Sequence, residues 1–209
     1  MSERDTATET LGLRHLKMEL ARIDLMLRRA VLRWQRAGQD PDDAFRGLYI
    51  SDEDAVRLMQ RPFASSWGEN GRLESGEAQG YAEAERELIA QEKVLRTEAA
   101  KRGEVLPLRH AAESFQLSRF EIDVLLIALA PNLDLRYEQI YGYLQDDVSK
   151  RRPTVNLALD LLCRSAEERL SKLALFDNDQ PLFRSRLLIR THPPDSSHTA
   201  LLSEVLSLD

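Results

Sequence analysis

"FEIDVLLIALAPNLDLRYEQIYGYLQDDVSKRRPTVNLALDLL", residues 120–162, is the stretch on which the fold turns. Inside it "VLLIALA", residues 124–130, is apolar on every face, which predicts a central helix covered on most sides. Ser118 followed by Glu121 has the spacing of a capping box and sets that helix's start. "PNLD" interrupts it, and Asp134 is placed to cap a second helix through Tyr137, Ile140, Tyr141 and Leu144. Pro153 breaks the chain again, since it has no N–H to give and restricts the residue before it. Thr154 is then placed to cap "VNLALDLLC".

Working outward, Leu106 to Phe115 reads as another short helix, and Ser165 is placed to cap "AEERLSKLALF". "LFRSRLLIRT" and "LLSEVLSLD" read as extended runs on either side of the loop "HPPDSSH". Short helices joined by tight turns and closed by a two-stranded ribbon follow the winged-helix plan.

The first half has a different texture. Leu13, Leu16, Leu20, Ile23, Leu27, Ala30 and Trp34 step by three and four, predicting one long helix that ends near Ala37 and Gly38. Arg22 falls off that stripe and is expected to face water. Tyr81, Ala84, Leu88, Gln91 and Leu95 repeat the pattern within a run from about Gly80 to Arg102. Between the two, Ser51 and Asp54 suggest a short capped helix ending before Pro62, and "SSWGENGRLESGEAQG" reads as a loop. The expected fold is mainly α. A long antiparallel helical hairpin with an elaborated tip occupies residues 1–103, and a winged-helix-like domain with a small C-terminal β-ribbon occupies residues 104–209.

Charge bears on partners. The chain has 29 Lys and Arg against 35 Asp and Glu, and the deficit is shared between the halves. A surface that tracks a phosphate backbone needs a basic stripe. Here the bases gather only at Lys150, Arg151 and Arg152. There is no phosphate-binding glycine loop and no H-E-x-x-H, so no nucleotide or metal chemistry is expected from those routes. His192 and His198 flank a proline-rich loop without a third ligand. The lone Cys163 shares a helical phase with Leu159 and Leu162 and reads as core. One cysteine, no leader-like start and no long apolar run suggest a cytoplasmic protein without membrane insertion.

Asp146 and Asp147 are adjacent, so on a helix they diverge by about 100° and cannot share one metal or proton. With Lys150, Arg151 and Arg152 they are candidate junction or interaction residues. The reading is that they pin one helix end to the next helix start, with a contact to a protein partner as the functional option. No catalytic, cofactor-binding or metal-binding residue is expected.

As a set, residues 120–162 and the upstream "RIDLMLRRAVLRWQRAGQDPDDAFRGLYISDEDA" resemble the N-terminal region of bacterial AAA+ ATPases. Those proteins carry a winged-helix-like domain ahead of the ATPase core and are often encoded with contractile injection systems. The resemblance covers about residues 13–62 and 104–190. It implies that Asp146, Asp147, Arg151, Arg152 and Pro153 are signature positions without a catalytic role. It further implies a module that recognises a client or adaptor and serves an ATPase ring, in a full-length protein that is hexameric. ATP and Mg would be held only by a core beginning after Asp209. The alternative is a winged-helix nucleic-acid-binding or transcription-regulatory protein, against which the acidic balance weighs.

Overall fold

The computed structural model describes residues 10–36, 56, 59–60, 73–192 and 200–209. Two long helices come first, α1 (Leu11–Arg36) and α2 (Ser75–Arg102). They run antiparallel. Leu11 packs with Leu95 and Ala99 at one end, and Arg36 donates to the Glu77 carboxylate (2.7 Å) at the other. α2 begins before the predicted Gly80 because Glu74 and Glu77 form a reciprocal capping box, so the tail of the expected loop is its first two turns. It ends at Gly103, whose φ of 66° is the left-handed conformation that glycine adopts without a Cβ clash. Of the short helix expected after Ser51 only Val56, Met59 and Gln60 are described, and they are helical and exposed. The predicted end of the first helix at Ala37 and Gly38, and the loop from Pro193 to Thr199, lie outside the described residues.

The remaining elements are α3 (Pro107–Ser114), α4 (Arg119–Leu133), α5 (Arg136–Leu144), α6 (Val155–Leu162) and α7 (Ala166–Lys172). A 3-10 turn (Leu173–Phe176), the one-turn α8 (Pro181–Arg184) and the strands β1 (Leu188–Thr191) and β2 (Val205–Leu208) follow. The local signals explain the starts. Ser118 and Glu121 cap α4 reciprocally, Thr154 accepts from the Leu157 N–H, and Ser165 accepts from the Glu168 N–H. α4 runs past Pro131 to Leu133, so "PNL" closes the helix from inside rather than breaking it. Extended structure is shorter than expected, because residues 181–184 form helix and residues 201–203 a 3-10 turn.

β1 and β2 pair antiparallel, Leu188 opposite Leu208 and Thr191 opposite Val205. Thr154 adds a single bridge to Val205, and Pro153 accepts from the Leu206 N–H at 2.8 Å. The ribbon is therefore tied to the start of α6.

Two apolar clusters share α4. On one side Leu126, Ile127 and Ala130 meet Ile23, Leu27, Ala30 and Trp34 of α1 together with Tyr137, Tyr141, Leu144 and Leu157. On the other Val124, Leu125 and Ala128 meet α6, Phe176, Leu182 and the ribbon residues Leu188 and Leu206. Ile23, Leu126 and Ile127 are fully buried, each worth about 1.5–3 kcal/mol of transfer free energy.

The heptad reading holds from Leu16 to Trp34, with Leu16 and Leu20 partly buried against the core, and fails at Leu13. Leu13 is 45% exposed, whereas Leu11, His15, Glu19 and Arg22 are buried. A straight helix drifts about 20° per heptad against a strict seven-residue repeat. α1 also changes neighbours along its length, packing on α2, α4, α5 and α6. Arg22, expected in water, instead faces Asp123 of α4.

Candidate interaction surface

The segment from α5 to α6 is built around an amide. Gln145 Nε2 is shared among the carbonyl oxygens of Tyr141 (3.2 Å), Lys150 (3.0 Å) and Arg152 (3.0 Å). Its Oε1 accepts from the Thr154 N–H (3.2 Å) and hydroxyl (2.7 Å). One side chain carrying both donor and acceptor thus closes α5, the connecting loop and the start of α6.

Before that loop, α5 ends in a Schellman arrangement. The Asp146 N–H reaches Tyr143 O and the Asp147 N–H reaches Gly142 O, with Asp146 left-handed at φ 54°. A Cβ at position 142 would lie 3.3 Å from Asp147 O, so glycine accommodates the chain's close return. The two acids therefore do not sit on a helix. Asp147 accepts from the Ser149 N–H (2.9 Å) and hydroxyl (2.6 Å), with Lys150 Nζ at 3.5 Å. The Ser149 hydroxyl is the main reason its carboxyl is held below the usual range.

The three bases part company. Arg152 NH1 donates to Asn132 Oδ1 (2.8 Å) and its NH2 lies 3.9 Å from Glu138 Oε1, tying the loop to the α4–α5 joint. Lys150 and Arg151 are exposed. That joint carries Leu133 (50% exposed) and Leu135 (70%), and the loop carries Val148 (89%). Apolar and cationic groups thus reach solvent from two segments joined by Arg152.

α6, the three-residue turn 163–165 and α7 follow one another as a helix-turn-helix. Val155, Leu157, Ala158, Leu159 and Asp160 of α6 are buried, so α6 presents its side chains to the core. α7 is the second helix of the pair. Its Arg169 is turned inward, donating to the Asp160 carboxylate and to Asn156 Oδ1, while Asn156 Nδ2 donates to Asp160 Oδ2 at 2.9 Å. Arg169 and Asp160 are both buried. Glu167 and Glu168 occupy the first turn of α7.

Cys163 is buried at the end of α6, and burial is the first cause that pushes its thiol up to about 11. Tyr143 lies against Trp34 with ring centroids 4.4 Å apart. His192 is exposed, 3.6 Å from Glu204, and His110 is exposed. His198 lies outside the described residues.

Sequence reasoning found the loop and missed its organiser, Gln145. The available signal was an amide placed between a helix end and Thr154, a position that rewards a side chain able to donate and accept together. It also missed the Arg169–Asp160–Asn156 cluster, whose only sequence trace is the i, i+4 spacing of Asn156 and Asp160.

A family model described as "Winged helix domain, variant" matches residues 10–209. No curated protein and no solved structure matches the chain.

Proposed function

The chain belongs to the variant winged helix domain family, and from that premise we propose that it is a protein-docking module rather than a reader of nucleic acid. The observation that carries this reading is α7. In nucleic-acid-binding helix-turn-helix units the second helix enters the major groove and its N-terminal residues meet base edges. Here those residues are Glu167 and Glu168, and Arg169 is spent inside on Asp160 and Asn156. Two carboxylates at that position oppose a phosphate-lined groove.

The docking surface we assign is the exposed joint of Leu133, Leu135, Val148, Lys150 and Arg151, held in place by Gln145 and Arg152. Its occupant, following the resemblance of residues 120–162, is an ATPase core or the client or adaptor delivered to one. The module itself is non-catalytic and binds no nucleotide, since it carries no glycine-rich loop and lysine to cradle phosphates.

Four measurements test this. Gel-shift titration with duplex DNA at low and physiological salt is expected to give no stable complex at the higher salt. Calorimetry with ATP is expected to show no binding to the 209-residue chain. The reading frame beyond codon 209 is expected to encode a P-loop domain, and a tagged copy of that domain is expected to retain the wild-type module but release the Val148→Asp variant. Tight, salt-sensitive DNA binding would favour the regulatory reading instead.

A further inference from the structure

His15 is 2% exposed, and neither of its ring nitrogens has a hydrogen-bond partner. Its Nε2 faces two carboxylates, Glu19 Oε1 at 3.9 Å and Glu92 Oε1 at 3.6 Å. Both gaps are too long for a direct hydrogen bond. They are close to the spacing of about 3.3–3.5 Å that two ligands take around one tetrahedral zinc with bonds near 2.05 Å. The three ligand atoms lie within 4.8 Å of one another.

The placement follows from the fold. His15 and Glu19 are four residues apart on α1 and so share a face, while Glu92 comes across the hairpin from α2. One turn further on, Leu11, Leu95, Ala99 and Leu106 form an apolar wall. We propose that His15, Glu19 and Glu92 form a site for a first-row divalent transition metal, zinc by preference, that clips α1 to α2 and leaves one coordination position for water.

The donor set selects the ion. An imidazole with two carboxylates suits zinc, cobalt or nickel, whereas magnesium and calcium favour all-oxygen sites. The neutral imidazole is the form that binds metal, so loading is expected to release protons and to weaken as pH falls. Both carboxylates also have outer partners. Arg119 NH1 donates to Glu19 Oε1 at 2.9 Å, its NH2 donates to Oε2, Arg22 Nε lies 3.3 Å from Oε2, and Arg109 NH1 lies 3.8 Å from Glu92 Oε1. A carboxylate oxygen has two acceptor positions, so Glu19 can hold Arg119 and a metal together, with the arginines orienting the ligands.

The experiment uses the 209-residue chain stripped with EDTA. Zinc chloride is titrated by calorimetry, and cobalt(II) is added while visible absorption is recorded. The expected result is one equivalent bound, a cobalt spectrum of the intense four-coordinate type and a melting temperature that rises with zinc concentration. Glu92→Gln and His15→Gln, each first checked for a cooperative melt without metal, should weaken zinc binding about tenfold or more. Because Glu92 lies nearer the surface, its variant keeps the test readable if the His15 variant does not fold. Absence of zinc binding, equal binding by wild type and both variants, or a melt that responds to pH but not to metal would overturn the proposal, the last by identifying a proton or water between these groups.

Discussion

The Arg22 guanidinium of α1 donates to the Asp123 carboxylate of α4, with both side chains buried where the hairpin meets the helical bundle. Glu19 and Arg119 extend the pair into a network, Arg22 Nε lying 3.3 Å from Glu19 and Arg119 Nε 3.3 Å from Asp123. Removing one partner of a buried pair strands the other charge, so Arg22→Ala is expected to lose about 3 kcal/mol or more in urea unfolding. Arg22→Asp should lose more, since it adds a third acid beside Glu19 and Asp123. Leu20→Asp, at a half-buried position, should cost less than Arg22→Asp. An unchanged urea midpoint for Arg22→Ala would show that the seam does not depend on this pair.

Gln145→Ala removes hydrogen bonds to Tyr141, Lys150, Arg152 and Thr154 together. The expected loss is about 1–3 kcal/mol, the range for leaving buried polar partners unmet. The combined change Lys150→Ala, Arg151→Ala, Arg152→Ala should lower the melting temperature less, because Arg152 alone among them bonds across elements. A larger loss from the triple change would move the structural weight from the amide to the bases.

Asp146 holds a left-handed conformation that aspartate tolerates better than a β-branched residue does. Asp146→Val is expected to destabilise by about 1–2 kcal/mol, the scale of a strained backbone position. Thermal unfolding of the variant checks it, with Asp147→Val, at a residue outside the left-handed region, as the comparison.

The Cys163 thiol is buried and pushed up to about 11, so the thiolate is scarce at ordinary pH. Alkylation by iodoacetamide in the native protein should be slow at pH 8 and rise about tenfold per pH unit while the fold persists. In denaturant it should reach the rate of a free cysteine. Rapid native labelling at pH 8 would mean that Cys163 is exposed and activated.

Local chemistry along the chain was sufficient to locate the short helices between residues 107 and 172. Ser118 with Glu121, Thr154 and Ser165 set helix starts through bonds three residues long, and those contacts form wherever the segment is helical. The apolar run at residues 124–130 likewise determined that α4 would be central, because no face of it could be left in water. The long hairpin was legible for the same reason, from apolar spacing repeated over two helices.

What only the tertiary structure decided was the fate of polar groups whose partners are remote in sequence. Arg22 and Asp123 are 101 residues apart, and Arg22 looks like a surface residue until α4 is packed against α1. Arg169 meets Asp160 only once α7 packs against α6, and His15 faces Glu92 only once the hairpin brings α1 and α2 together. Periodicity reports which face of a helix is apolar, whereas the burial of a charge depends on a compensating group supplied by another element, and only packing brings the two together.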